Sequence, residues 1–88
     1  MLDEVTIRNA ARETASDVAG RSVDEGQRLI SSGLIDSLSI FKLVGKLEKR
    51  LNIEIPTHSL QPDDFDDIQL IVETIRRVGR PARDEGAS

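Results

Sequence analysis

Ile40, Leu43, Val44, Leu47 and Leu51 recur at steps of three, one, three and four residues, a spacing that brings all five onto one face of an α-helix. Ile68, Ile71, Val72, Ile75 and Val78 repeat the pattern near the other end of the chain. Two such stripes must be covered, and 88 residues leave room for one hydrophobic core. The expected fold is therefore a single all-α domain whose helices cover one another, with Leu43, Val44, Leu47 and Ile71 in its core. No strand competes, because the IEI run at 53–55 is too short and no second strand complements it.

The remaining elements follow from local signals. An alanine-rich segment with Leu2, Val5, Ala11 and Ala15 near helical spacing predicts a first helix over about residues 3–18, ending before Gly20. The stretch from Gly20 to Gly33 reads as a long ordered loop, with Val23, Leu29 and Ile30 available to pin it to a core. The second helix starts at Asp36 or Ser37, either of which can cap it, and Asn52 and Pro56 close it. A short helix is expected around Leu60 or from Pro62 to Phe65. A last helix starts from residue 66, capped by Asp66 or Asp67, with Arg76 and Arg77 in its final turn. Residues 79–88 lack periodic apolar content and read as a frayed tail, which leaves residues 1–78 as the domain.

Composition removes several functions. Cysteine is absent and histidine occurs once, which excludes thiolate metal sites, a cysteine nucleophile and a histidine-rich metal centre. Sixteen acidic against twelve basic residues give a net charge of −4, and Phe41 and Phe65 are the only aromatics, so nucleic acid is not an expected partner. No apolar run is long enough to span a membrane and the N-terminus lacks a secretory pattern, so the expected location is cytoplasmic, away from the membrane. His58 reads as an ordinary surface or capping residue. The DDFDD run at 63–67 lacks the ligand spacing of a calcium loop and reads as capping carboxylates, with no metal. An autonomous hydrolase would need a base for its serine, and none is recognisable.

The informative string is SGLIDSLSIF, residues 32–41. Gly33 can adopt a backbone conformation denied to other residues, while Leu34 and Ile35 can anchor the loop before the helix begins. Ser37 is then held at a helix N-terminus, where its hydroxyl can be offered for a phosphate-linked group that nearby unpaired amides would favour. It can equally be only a cap. Leu38, Phe41 and Gly45 form a second stripe on the same helix, which is either surrounded by other helices or set aside for something else.

GLIDSL at 33–38, the apolar helix after it and Pro56 just beyond resemble the acyl and peptidyl carrier protein family over about residues 3–78. The resemblance implies a four-helix bundle of three main helices, one short helix and a long first loop, with no catalytic residue of its own. It implies that Ser37 carries a 4'-phosphopantetheine arm installed from coenzyme A by a phosphopantetheinyl transferase, which Asp36 helps to engage. The arm would hold an acyl or aminoacyl group as a thioester, which explains thiol chemistry in a chain without cysteine. A loading ligase or synthetase and downstream acyl-processing enzymes are the implied partners of a monomeric carrier. Leu38 and Phe41 fall where partner enzymes usually touch such carriers, and Gly45 shares their stripe. A small helical adaptor without a prosthetic group, using Leu38 and Phe41 for docking, is the other reading. One departure stands out: carriers of fatty acid synthesis usually present an acidic second helix, whereas this one has Lys42, Lys46, Lys49 and Arg50 against Glu48. That pattern points to a specialised stand-alone carrier, and its lysines are either a solvated face or the surface that meets a partner.

Overall fold

The computed structural model describes residues 3–56, 58 and 60–82. Helix α1 runs Glu4–Ala19, started by the Asp3 side chain, which accepts from the Thr6 amide at 2.8 Å, and ended by Gly20 in the left-handed region. Its buried face is Ile7, Ala10, Ala11, Thr14 and Ala15. The small side chains let α1 pack against both other long helices. Val5, expected on this stripe, is 67% exposed. Two positions before Ile7 means a rotation of roughly 200° around the helix, onto the solvent side.

Helix α2, Ser39–Leu51, buries all five residues of its expected stripe. Its start lies slightly later than expected, because the amides of Ser39, Ile40 and Phe41 donate to the carbonyls three residues earlier, a tighter turn that leads into the helix proper. After a left-handed cap at Asn52, Ile53–Glu54 form strand β1. The 3-10 helix Pro62–Phe65, with proline in its first turn, leads to α3 at Ile68–Val78, where Asp67 is the cap and accepts from the Leu70 amide at 2.8 Å. The four-element helical bundle matches the expected architecture, and Leu43, Val44, Leu47 and Ile71 are almost fully buried.

The expectation of no strand is corrected. Strand β2, Arg80–Pro81, pairs antiparallel with β1, placing Ile53 opposite Pro81 and Glu54 opposite Arg80, and the Ala82 amide donates to the Asn52 carbonyl at 3.1 Å. The segment read as a frayed tail from 79 therefore starts as a paired strand, while residues 83–88 lie outside the described ones. Two-residue strands carry no detectable alternation, so no local pattern announces them. Gly79 makes the turn possible: a Cβ there would stand 2.6 Å from the Ile75 carbonyl oxygen.

The connection from Gly20 to Leu38 is held as a built part of the fold. Val23, Leu29 and Ile35 are buried, as the apolar content of this stretch requires, and Gly33 takes a φ of 82° that disfavours any side chain. Ion pairs tie the surface together: Arg50 bridges α2 to Glu13 at 2.9 Å and Asp17 at 2.7 Å on α1, and Arg76 of α3 meets Glu4 at 2.8 Å. Such exposed pairs add less than about 1 kcal/mol each, so the stability rests on the apolar core.

Replacing the fully buried Leu47 with Ala is expected to cost about 2–5 kcal/mol in chemical denaturation, the usual range for an emptied leucine site. Thr14 offers the opposite change. Its hydroxyl is buried with no hydrogen-bond partner among the described residues, so the near-isosteric Thr14→Val variant should gain about 1 kcal/mol in the same assay.

Candidate functional site at the entrance of the second helix

Asp36 and Ser37 both stand where α2 begins, and the structure gives them different tasks. The Asp36 carboxylate accepts from the Ser39 amide at 2.8 Å and is the side-chain cap. Its carboxyl is held below the ordinary carboxylate value, first by that amide hydrogen bond and then by the Ser39 side chain. Ser37 is exposed, and its hydroxyl makes no hydrogen bond among the described residues. Two other serines differ: the Ser32 hydroxyl donates to the Arg28 carbonyl at 2.6 Å, and that of Ser16 accepts from the Val23 amide at 3.1 Å. The amides expected to remain unpaired at this helix start are largely used, since those of Ser39, Ile40 and Phe41 already have carbonyl acceptors.

The second stripe of α2 faces solvent. Leu38 is 80% and Phe41 65% exposed, Gly45 is half-buried, and Lys42, Lys46 and Lys49 are exposed on the same outward side. Between α2 and the segment leading into the 3-10 helix lies a cavity of about 220 Å³, lined by Ser37, Leu38, Phe41 and Val44 on one side and by Leu60 and Pro62 on the other. The helix entrance thus offers an accessible hydroxyl beside an apolar recess.

A residue distant in sequence positions this entrance. One carboxylate oxygen of Asp66 accepts from the amides of Ile30 at 2.8 Å and Ser31 at 2.9 Å, and the Asp66 carbonyl accepts from the Leu29 amide at 2.7 Å. The Leu29 carbonyl in turn accepts from the Ile35 amide at 2.8 Å, immediately before Asp36. Burial pushes the Asp66 carboxyl up, but the hydrogen bonds from Ser31 and Ile30 and the charge of Arg28 outweigh it, so the group lies below its ordinary value. Asp66 therefore fastens the loop, leaving Asp67 alone as the cap of α3; the sequence reading treated the two as interchangeable. The surplus of one aspartate over the single cap required was the available signal.

Of the other acidic residues of this segment, Asp64 has structural work. Asp64 accepts from the Gln61 amide at 2.9 Å, and Asp63 lies in the first turn of the 3-10 helix. His58 is exposed. No helix among the described residues is long and apolar enough to cross a membrane.

An exposed serine hydroxyl thus stands at the entrance of α2, on the surface of a small helical bundle. The family profile for a phosphopantetheine attachment site matches residues 9–76, most of the chain, and the chain belongs to that family of carriers. It is a non-catalytic carrier of the kind that presents acyl or aminoacyl groups to partner enzymes, and phosphopantetheine is the group its family attaches. Carriers of this family work with phosphopantetheinyl transferases and acyl-processing enzymes. No curated protein matches the chain at a significant level.

The two aspartates give the site an acid limit. Both are held below the ordinary value of 3.8 in the folded chain, so their contribution to stability is whole above that value and is lost as the pH falls through the lower folded values. In a pH titration followed by amide NMR, the signals of Ile30, Ser31 and Ser39 should shift with midpoints below 3.8. In Asp66→Asn the Ile30 and Ser31 shifts should disappear and both amides exchange faster, while Ser39 still titrates. A midpoint above 3.8 for the native protein would contradict the geometry.

Proposed function

We propose that Ser37 is the residue that carries 4'-phosphopantetheine, transferred from coenzyme A, and that the chain holds acyl or aminoacyl groups on it for delivery between enzymes. The observation that carries this reading is the exposed Ser37 hydroxyl, which makes no hydrogen bond among the described residues at a firmly anchored helix start. Within the family match, it also has the flanking Asp36 and Leu38 of the resemblance.

The residues present fit the group. The Ser37 oxygen would give up its proton and bond to the phosphorus next to pantetheine, breaking the pyrophosphate bond of coenzyme A and releasing adenosine 3',5'-bisphosphate, and because Asp36 does the capping the helix start would survive that conversion. Asp36 is exposed beside it and available to the transferase. When attached, the arm supplies the thiol that the cysteine-free chain lacks and on which cargo is held as a thioester. The apolar recess lined by Val44, Leu60 and Pro62 gives apolar atoms near Ser37 a place out of water. Leu38 and Phe41, exposed within a turn of Ser37, are the apolar contacts for a loading ligase or synthetase and for downstream enzymes, with Gly45 keeping the stripe low between them and Lys49.

Incubation of the apo protein with coenzyme A and a broad-specificity transferase should add the mass of one phosphopantetheine, mapped by peptide mass spectrometry to Ser37 rather than to Ser31, Ser32 or Ser39. Ser37→Ala should remain unmodified while losing less than about 0.5 kcal/mol of stability, because it removes neither a cap nor a core contact. Full mass addition to Ser37→Ala would move the site elsewhere. A native protein that stays unmodified would favour the adaptor reading of the Leu38 and Phe41 patch.

A further inference from the structure

The charges of α2 are sorted by the fold in a way its sequence does not display. Glu48, the acidic residue of the helix, turns back, and its carboxylate accepts from the Ile55 amide at 2.8 Å. Arg50 is engaged with Glu13 and Asp17 of α1. Lys42, Lys46 and Lys49 remain exposed with no carboxylate in ion-pair range among the described residues. The outward side is therefore cationic, on a chain whose net charge is −4.

Folding alone gives no reason for this arrangement. Lys42 follows closely on the start of α2, where the helix dipole disfavours a cation, and the one acid at that start, Asp36, is engaged with the Ser39 amide. Lys42 and Lys46 are four apart and Lys46 and Lys49 three apart, so like charges stand as neighbours along the ridge. Beside the ridge lie the large exposed apolar side chains Leu38 and Phe41. An apolar patch bordered by unpaired charge of one sign has the composition of a docking face, with the apolar part providing the contact and the charge selecting the partner.

We propose that this face docks enzymes that surround an apolar recess with carboxylates, the recess taking Leu38 or Phe41 and the carboxylates meeting Lys42, Lys46 and Lys49. The ridge rejects basic docking surfaces by the same charge. This inference rests on Ser37 as the attachment site, since a partner that reaches the Ser37 oxygen must cover the first turns of α2.

The test uses a broad-specificity phosphopantetheinyl transferase and two engineered forms of it, with glutamates or lysines added around the rim that meets the carrier. Modification of Ser37 is measured by mass across an ionic-strength series. For the native carrier at low salt, the glutamate-rimmed transferase should exceed the lysine-rimmed one in kcat/KM by at least about fivefold, an advantage that shrinks as salt screens the charges. Lys42→Glu with Lys46→Glu should reverse that order. Arg12→Glu with Arg21→Glu, the same net change placed on α1 and the loop after it, should leave the order intact. Phe41→Ala should lower kcat/KM with all three transferases even at high salt, as loss of an apolar anchor does. Modification of Ser37 at rates indifferent to rim charge, or changed equally by both double variants, overturns this inference and leaves the attachment site standing. No modification of Ser37 under any combination overturns the attachment reading, and this inference with it.

Discussion

The carboxylate of Asp66 holds together parts of the chain that no local signal joins. The segment from Gly20 to Leu38 is longer than most connections in compact domains and forms no regular element before the turn into α2. Burial of Val23, Leu29 and Ile35 holds it to the core, but apolar contact is not directional. The two amide hydrogen bonds to one Asp66 oxygen, with the Leu29 amide on its carbonyl, set the register in which the loop lies. From there the Ile35 to Leu29 bond passes the placement on to Asp36 and Ser37. The chain that precedes α3 thus determines where α2 begins.

At the helix entrance, adjacent residues separate structure from use. Asp36 satisfies a helix amide, so Ser37 has no structural task in its side chain and can be exposed. A serine that capped the helix would exchange that hydrogen bond for a phosphodiester on modification, loosening the helix as the group was attached. With the cap one residue earlier, modification at the proposed Ser37 would leave the Asp36 hydrogen bond, and so the helix start, in place. That invariance suits a carrier that must be recognised by a succession of enzymes.

Charge follows the same division. Asp64, Asp66 and Asp67 serve as caps and as the loop anchor, Arg50 of α2 and Arg76 of α3 pair with carboxylates of α1, and Arg77 of α3 lies 3.7 Å from Asp64. What remains unpaired on α2 among the described residues is the set of lysines beside Leu38 and Phe41. The net charge of the whole chain, −4, therefore says little about the field a partner meets at the site. Field strength at a docking face depends on which charges are near and uncompensated, and distant carboxylates are screened by salt.

The sequence by itself determined the helical bundle, the buried stripe of α2 and the serine at its entrance. Periodicity, caps and the GLIDSL string are local, and local geometry carries them directly into structure. It determined the buried side of α1 only in part: Ala11 and Ala15 are buried as expected, but an alanine-rich helix has a weak stripe and the packing of α2 and α3 selected Ile7 over Val5. It did not announce the pairing of Ile53–Glu54 with Arg80–Pro81, since two-residue strands form only where the helix ends bring them together. Nor did it separate Asp66 from Asp67, or the engaged Glu48 and Arg50 from the unpaired lysines. Those distinctions belong to tertiary structure for one physical reason: a charged side chain's role is set by the donors and acceptors within about 3 Å of it, and the partners of Asp66 and Arg50 come from residues far away along the chain.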